Sequence, residues 1–308
     1  MPPARSAPHP HAPHPHAPHP HAQQPADRAA IIATAFAFLV TMMGTTIPTP
    51  LHSISATELA FSPRTIPVLF AVYALGVVGA LLAFGRLSDD LGRRPVLLIA
   101  VSFAFGSALL LQLPPSLPLL VAARVVSGLG AGLMSGAGTA AVIDLFPAQR
   151  RARGAAVAVA AHSGGLALGT LLAGTLASLA PHPLTLPVAV HLSLCVMAFL
   201  ALGFWTPAPA HRGPVRIRPQ RLRVPRELRG AFARAVLAAG AGFAITGVLT
   251  AVTALFLAQH LRLDNHALAG GIVFLAFAGM ALGQLLAQRV RAGAAIPAGC
   301  AGLVLAAA

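Results

Sequence analysis

The chain has 308 residues, of which 56% are hydrophobic and only 9% charged, at a mean hydropathy of +0.78. Soluble globular domains carry roughly 25% charged residues, so these values exclude that class and point to an integral membrane protein. A net charge of +14 would suit nucleic acid, but such binders gather basic residues on a soluble face with stacking aromatics, and this sequence has no such stretch.

Residues 8 to 22 are a Pro-His-Pro-His-Ala repeat with histidines at 9, 11, 14, 16, 19 and 21. The prolines forbid a helix, and the composition reads as a solvated cytoplasmic tail over residues 1–28. Loose binding of zinc, copper or nickel by the imidazoles is the alternative, and it would say nothing about function. The segment lacks the short basic start and small-residue cleavage site of a signal peptide. Uninterrupted apolar stretches then predict membrane-crossing helices near 29–50, 65–85, 95–113, 117–143, 154–180, 184–205, 235–258 and 266–288. At about 1.5 Å per residue each can cross a hydrocarbon core about 30 Å thick. The expected fold is all-α, a polytopic transmembrane helix bundle. Its six-helix first half covers 29–205, a Pro- and Arg-rich cytoplasmic linker covers 206–234, and a partial second bundle covers 235–308. Residues 292–308 begin a ninth apolar span, so the sequence reads as a piece of a longer architecture.

The basic residues fix an expected orientation. All 21 are arginines, and only Arg64 and Arg262 fall in the connections on one side of these spans. Arg124 falls within the membrane; the others lie in the tail, the linker and the connections on the opposite side. The positive-inside rule makes that opposite side, with the N-terminus, cytoplasmic. An inner cell membrane is the expected location.

Between the second and third spans lies Gly85-Arg86-Leu87-Ser88-Asp89-Asp90-Leu91-Gly92-Arg93-Arg94-Pro95, flanked on both sides by long stretches without a charged side chain. Glycines belong where the backbone turns tightly or approaches a neighbour, and Asp89 is an anion at a helix end, able to pair with nearby arginines. Gly85, Leu87, Asp89, Gly92, Arg93 and Arg94 resemble the G-x-L-x-D-x-x-G-R-R signature between the second and third helices of the major facilitator superfamily of transporters. The resemblance implies twelve helices in two halves, alternating access, and a turn that latches the inner gate while the cavity opens outward. Asp90 stands where that family most often has a basic residue, which should weaken or re-pair the latch. Gly283, Leu285 and Arg291 repeat the spacing of Gly85, Leu87 and Arg93, with Ala287 and Val290 in place of the aspartate and second glycine.

After the fourth span, Asp144, Pro147, Arg150, Arg151, Arg153 and Gly154 form a second charged turn, in which Asp144 is either a partner for Arg93 or Arg153 or simply solvated. Arg124 lies seven residues past Leu117, roughly 10 Å into the bilayer by helical rise. An uncompensated arginine at mid-membrane costs from about 3 to over 10 kcal/mol, so it should face a polar cavity, serving substrate charge or proton coupling, or else snorkel outward. With Gly128, Gly130 and Gly132 it resembles the fourth-helix motif of proton-coupled family members. Gly165, Gly169, Thr170, Ala173 and Gly174 are similar to the fifth-helix motif of drug–proton antiporters, with Thr170 and Ala173 replacing a proline and a glycine. The same glycines equally suit plain helix packing.

Thr45, Thr46 and Thr49, near Gly44 and Pro48, are polar enough to line a midplane pocket. His162 and His191 read as packing histidines or proton relays. Cys195 and Cys300 give neither a disulfide framework nor metal spacing. No nucleophile triad, phosphate loop or carboxylate pair is present, so neither enzyme chemistry nor a cofactor is expected. The resemblance implies a secondary transporter, monomeric in a lipid bilayer, exporting small organic molecules in exchange for protons. A proton-coupled importer and a non-transporting membrane protein are the alternatives.

Overall fold

The computed structural model describes residues 28–62, 64–85, 87–207, 225–259 and 265–287. Ten α-helices occur among the described residues, in chain order α1 (Arg28–Thr46), α2 (Pro48–Glu58), α3 (Thr65–Phe84), α4 (Leu87–Leu91), α5 (Arg93–Gln112), α6 (Leu117–Asp144), α7 (Arg151–Leu179), α8 (Leu186–Trp205), α9 (Arg229–Gln259) and α10 (His266–Ala287). No strand occurs among the described residues. Seven helical segments among them are long and apolar enough to cross a membrane. The expected span 235–258 falls inside α9. The His-rich repeat, the expected ninth span and most of the 206–234 linker lie outside the described residues.

Helix ends follow local chemistry. Ser116 caps α6, its Oγ accepting from the Leu119 amide at 3.4 Å, with Pro118 in the first turn where no amide partner is needed. Asn265 does the same for α10, its Oδ1 accepting from the Leu268 amide at 2.9 Å. The largest departure from expectation is at the first span, which continues past residue 50: α2 carries the helix on to Glu58. Pro48 and Pro50 do not end it, because they sit in the first turn of a new segment whose leading residue, Ile47, is already right-handed helical (φ −51°, ψ −44°). The chain between 206 and 234 also turns helical earlier than expected, α9 beginning at Arg229.

α1 is the inner helix of the bundle. Through α1 and into α2, 67% of the apolar window is buried by protein, against 22% in α3. Phe38, Val40 and Met42 of α1 pack with Val96, Leu97 and Val101 of α5, Met134 and Val142 of α6, and Leu202 of α8 in one core. The outer faces of α3 and α8 present Leu75, Val78, Leu82, Met197, Leu200 and Phe204 unburied by protein, the surface that acyl chains cover. α7 runs between α1 on one side and α10 on the other. With α1 and α7 fixed in this way, α6 is held against α3 and α5, and its inward face carries the one buried arginine among the described residues.

Candidate functional site

Arg124 is 2% exposed and enclosed by α1, α3 and α6. Its Nη1 donates to the Thr45 carbonyl at 2.8 Å, and its Nε reaches the Leu69 carbonyl at 3.5 Å. The guanidinium carbon lies 4.6 Å from the Tyr73 ring centroid and 5.4 Å from that of Phe70. Desolvated cation–π contacts are each worth about 2 kcal/mol and charge-assisted hydrogen bonds about 1.5–3 kcal/mol. Together they can offset most of the cost of holding a cation at this depth. Arg124 therefore does not snorkel; it is turned inward and clamped. No carboxylate is among its described partners.

Of the three threonines expected near this point, Thr45 contributes its carbonyl to Arg124 while its hydroxyl donates to the Met42 carbonyl at 2.7 Å. The Thr46 hydroxyl donates across to the Leu166 carbonyl of α7 at 2.8 Å. Thr49 is 5% exposed. None of the three lines the cleft of about 370 Å³ that lies between α2, the end of α5, the start of α6 and the α7–α8 connection. That cleft is lined by His52, Ser55 and Glu58 from α2, which lie beyond the end at residue 50 that the sequence pattern predicts for the first helix. His191 sits against Gly44 and donates from Nε2 to the Val40 carbonyl at 3.0 Å, and the His162 ring packs edge-on to Phe38 at 5.5 Å.

The charged turn occupies the opposite end of α5. Leu87–Leu91 form a single short helix, and Gly92 has φ +87° and ψ 163°, a backbone region open essentially to glycine alone. Gly85, by contrast, is ordinary right-handed backbone at φ −56°. Arg93 pairs through Nε with Asp144 Oδ2 at 3.1 Å and donates from Nη1 to Ser88 Oγ at 2.7 Å. Asp144 thus meets Arg93. Arg94 donates from Nη2 to the Gly203 carbonyl in the last turn of α8, where the helix dipole favours a cation. The side chain of Asp89 and all of Arg86 lie outside the described residues. Arg150, Arg151 and Arg153 are exposed around the start of α7. Gly154 lets that helix close on Phe146 and Ile143, whose atoms would stand 3.0–3.1 Å from an added Cβ.

The glycines sort by partner helix. A Cβ on Gly128 or Gly132 would run into the α3 backbone at Tyr73 and Val77, and one on Gly130 would meet Ala100 and Phe103 of α5 at 3.0 Å. On α7, Gly165 and Gly169 face the α1 carbonyls of Leu39 and Met43, whereas Gly174 lies against Gly270 of α10.

Residues 34–308 match the family model described as Major Facilitator Superfamily. Similar curated proteins include the class B tetracycline resistance protein of Escherichia coli, 29% identical over 58% of this chain and 43% of that protein. The class C tetracycline resistance protein of the same organism is 32% identical over 50% of this chain and 38% of its own length. The cephamycin export protein CmcT of Amycolatopsis lactamdurans is 29% identical over 62% and 40%. The chain thus spans less than half the length of each of these relatives. Among solved structures, that of the human organic anion transporter MFSD10 (TETRAN) shares the fold, with TM-score 0.61 at 20% identity over 85% of this chain and 72% of that one.

Proposed function

This chain belongs to the major facilitator superfamily, and on that premise we propose that it acts as a proton-coupled secondary transporter, exporting small organic molecules by alternating access. The observation that carries the reading is Arg124. A clamped cation whose described partners are two carbonyls and two rings, without a carboxylate, is a positive site at the inner face of α6 toward which an anionic substrate group or a proton-linked charge would be drawn. Its fixed position costs no reorganisation when cargo arrives. The relatives named for tetracycline resistance and cephamycin export favour outward transport of compact organic molecules.

In this reading residues 29–205 form the first half, 206–234 the cytoplasmic linker and 235–308 the beginning of the second half. The N-terminus and the Arg93–Asp144 pair then lie on the cytoplasmic side of the inner membrane, where that pair, Arg94 and the Asp89 turn close the inner gate. The protein works as a monomer, with no metal or organic cofactor.

The test is accumulation in bacteria whose main exporters have been deleted and which express the 308-residue chain. Tetracycline, a cephamycin and a small panel of lipophilic compounds would be followed with and without a protonophore. Lowered accumulation of at least one compound, restored by the protonophore, is expected. Unchanged accumulation of every compound, or accumulation that rises with expression, would overturn the proposal.

A further inference from the structure

The cleft at the far end from the charged turn has one wall built by a single face of α2. Pro48, Leu51, His52, Ser55 and Glu58 recur at helical spacing along it. Two of its polar residues are out of place for a mere surface fold: His52 is 2% exposed and Ser55 5%. The His52 ring packs edge-on to Phe70 at 5.9 Å, and Phe70 is one of the two rings under Arg124. His52 Nε2 is buried and has no hydrogen-bond partner among the described residues. Burying an imidazole nitrogen unsatisfied costs about 1–3 kcal/mol, a cost that disappears when a water or a ligand group meets it. Glu58, exposed at the rim roughly 9 Å further along the helix by its rise, supplies a carboxylate. The remaining wall, including Leu111, Leu120 and Val188, is predominantly apolar.

The volume, about 370 Å³, is in the range of small-molecule sites, and an apolar hollow with a few convergent polar groups is the usual form of such a site. The geometry points to a binding site for a small amphiphilic amine. Its ammonium is held by Glu58 at the rim, its apolar body lies on the leucine wall, and its inner end is directed toward His52. Charge places the ammonium at the rim and not at the floor, because the Arg124 guanidinium lies behind Phe70 and repels a cation that goes deeper. This assignment needs neither proton coupling nor a direction of transport.

Equilibrium binding of tritiated 2-phenylethylamine to the purified 308-residue chain in phosphatidylcholine nanodiscs, with both faces accessible, tests it separately from flux. Saturable binding is expected, with 2-phenylethanol and phenylacetate competing about three- to fivefold less well, since an exposed charge contact is lost. Glu58→Gln, at an exposed position where folding is not at stake, should weaken the amine by a similar factor. In Ser55→Cys, with the unaltered chain as background, 2-phenylethylamine should slow labelling by a maleimide. Equal affinity for amine and alcohol, phenylacetate binding tighter than the amine, no effect of Glu58→Gln, or a cysteine at 55 that is unreactive or unprotected would each overturn the inference.

Discussion

At the scale of single residues, Arg124 decides between structure and function, and substitution by a side chain of similar length separates the two. A buried ion replaced by an apolar group that fills the same space is often neutral or stabilising, because the desolvation cost vanishes with the charge. Arg124→Met should therefore leave the thermal midpoint of the purified protein unchanged or higher while abolishing the proposed transport. A midpoint lowered by more than about 5 °C, which for a chain of this size corresponds to about 3 kcal/mol, with transport retained, would make Arg124 a structural clamp. The charged turn makes a different prediction. Gly92 at φ +87° and ψ 163° cannot take a Cβ without strain of about 1–3 kcal/mol. Gly92→Ala should therefore lower the thermal midpoint far more than Asp144→Asn. The latter breaks a half-exposed ion pair that is worth about 1 kcal/mol at most. The sequence distinguished Gly92 from its neighbours only by its place in a motif, since no local pattern tells a glycine held at positive φ from Gly85 at −56°.

At the scale of the element, neighbouring glycines on α7 offer a controlled comparison. A Cβ on Gly164 meets nothing within 4 Å, whereas one on Gly165 collides with the Leu39 carbonyl and stands 2.8 Å from Met42 Cβ. Alanine is favoured over glycine in a helix by about 1 kcal/mol, and overpacking a tight seam costs about 1–3 kcal/mol. Gly164→Ala should consequently be neutral or mildly stabilising and Gly165→Ala destabilising, as read by thermal unfolding in one detergent; the same sign at both positions would mean that α1 and α7 can part without cost. Helices of this kind are legible in sequence because eighteen or more apolar residues in a row have few other ways to satisfy their backbone in lipid. Six of the eight expected spans accordingly coincide with α3, α5, α6, α7, α8 and α10 to within a few residues. What the sequence could not supply was the continuation through α2. Two prolines read as a stop, yet at the head of a new segment they are compatible with helix, and with that continuation went His52, Ser55 and Glu58. The partners of Arg124 were equally hidden, for Thr45, Leu69, Phe70 and Tyr73 come from two helices whose rotation only packing sets.

At the scale of the whole molecule, the contact that matters most for alternating access is the one between α7 and α10, because in the proposed organisation it joins the two halves. It is fastened along its length. Near the start of α10 the Ala267 amide donates to Ser178 Oγ at 2.8 Å; one turn further on Gly174 and Gly270 let the backbones touch; toward its end Ser163 Oγ donates to Gln284 Oε1 at 3.3 Å. Gly174 and Gly270 bring the two backbones so close that sliding is sterically blocked there, whereas the polar contacts at the ends are single hydrogen bonds worth about 0.5–1.5 kcal/mol each. Pivoting about the glycine contact near the start of α10, with the Ser163–Gln284 end opening, is then the least costly motion. Cysteines at 163 and 284 should be bridged by a short bifunctional methanethiosulfonate in the state described, locking that end closed. Such a variant is expected to lose nearly all transport on cross-linking and to regain it on reduction, while Ser163→Cys alone keeps its activity through the same treatment. Full transport by the cross-linked protein would show that the halves move about some other seam and that this one stays shut throughout the cycle.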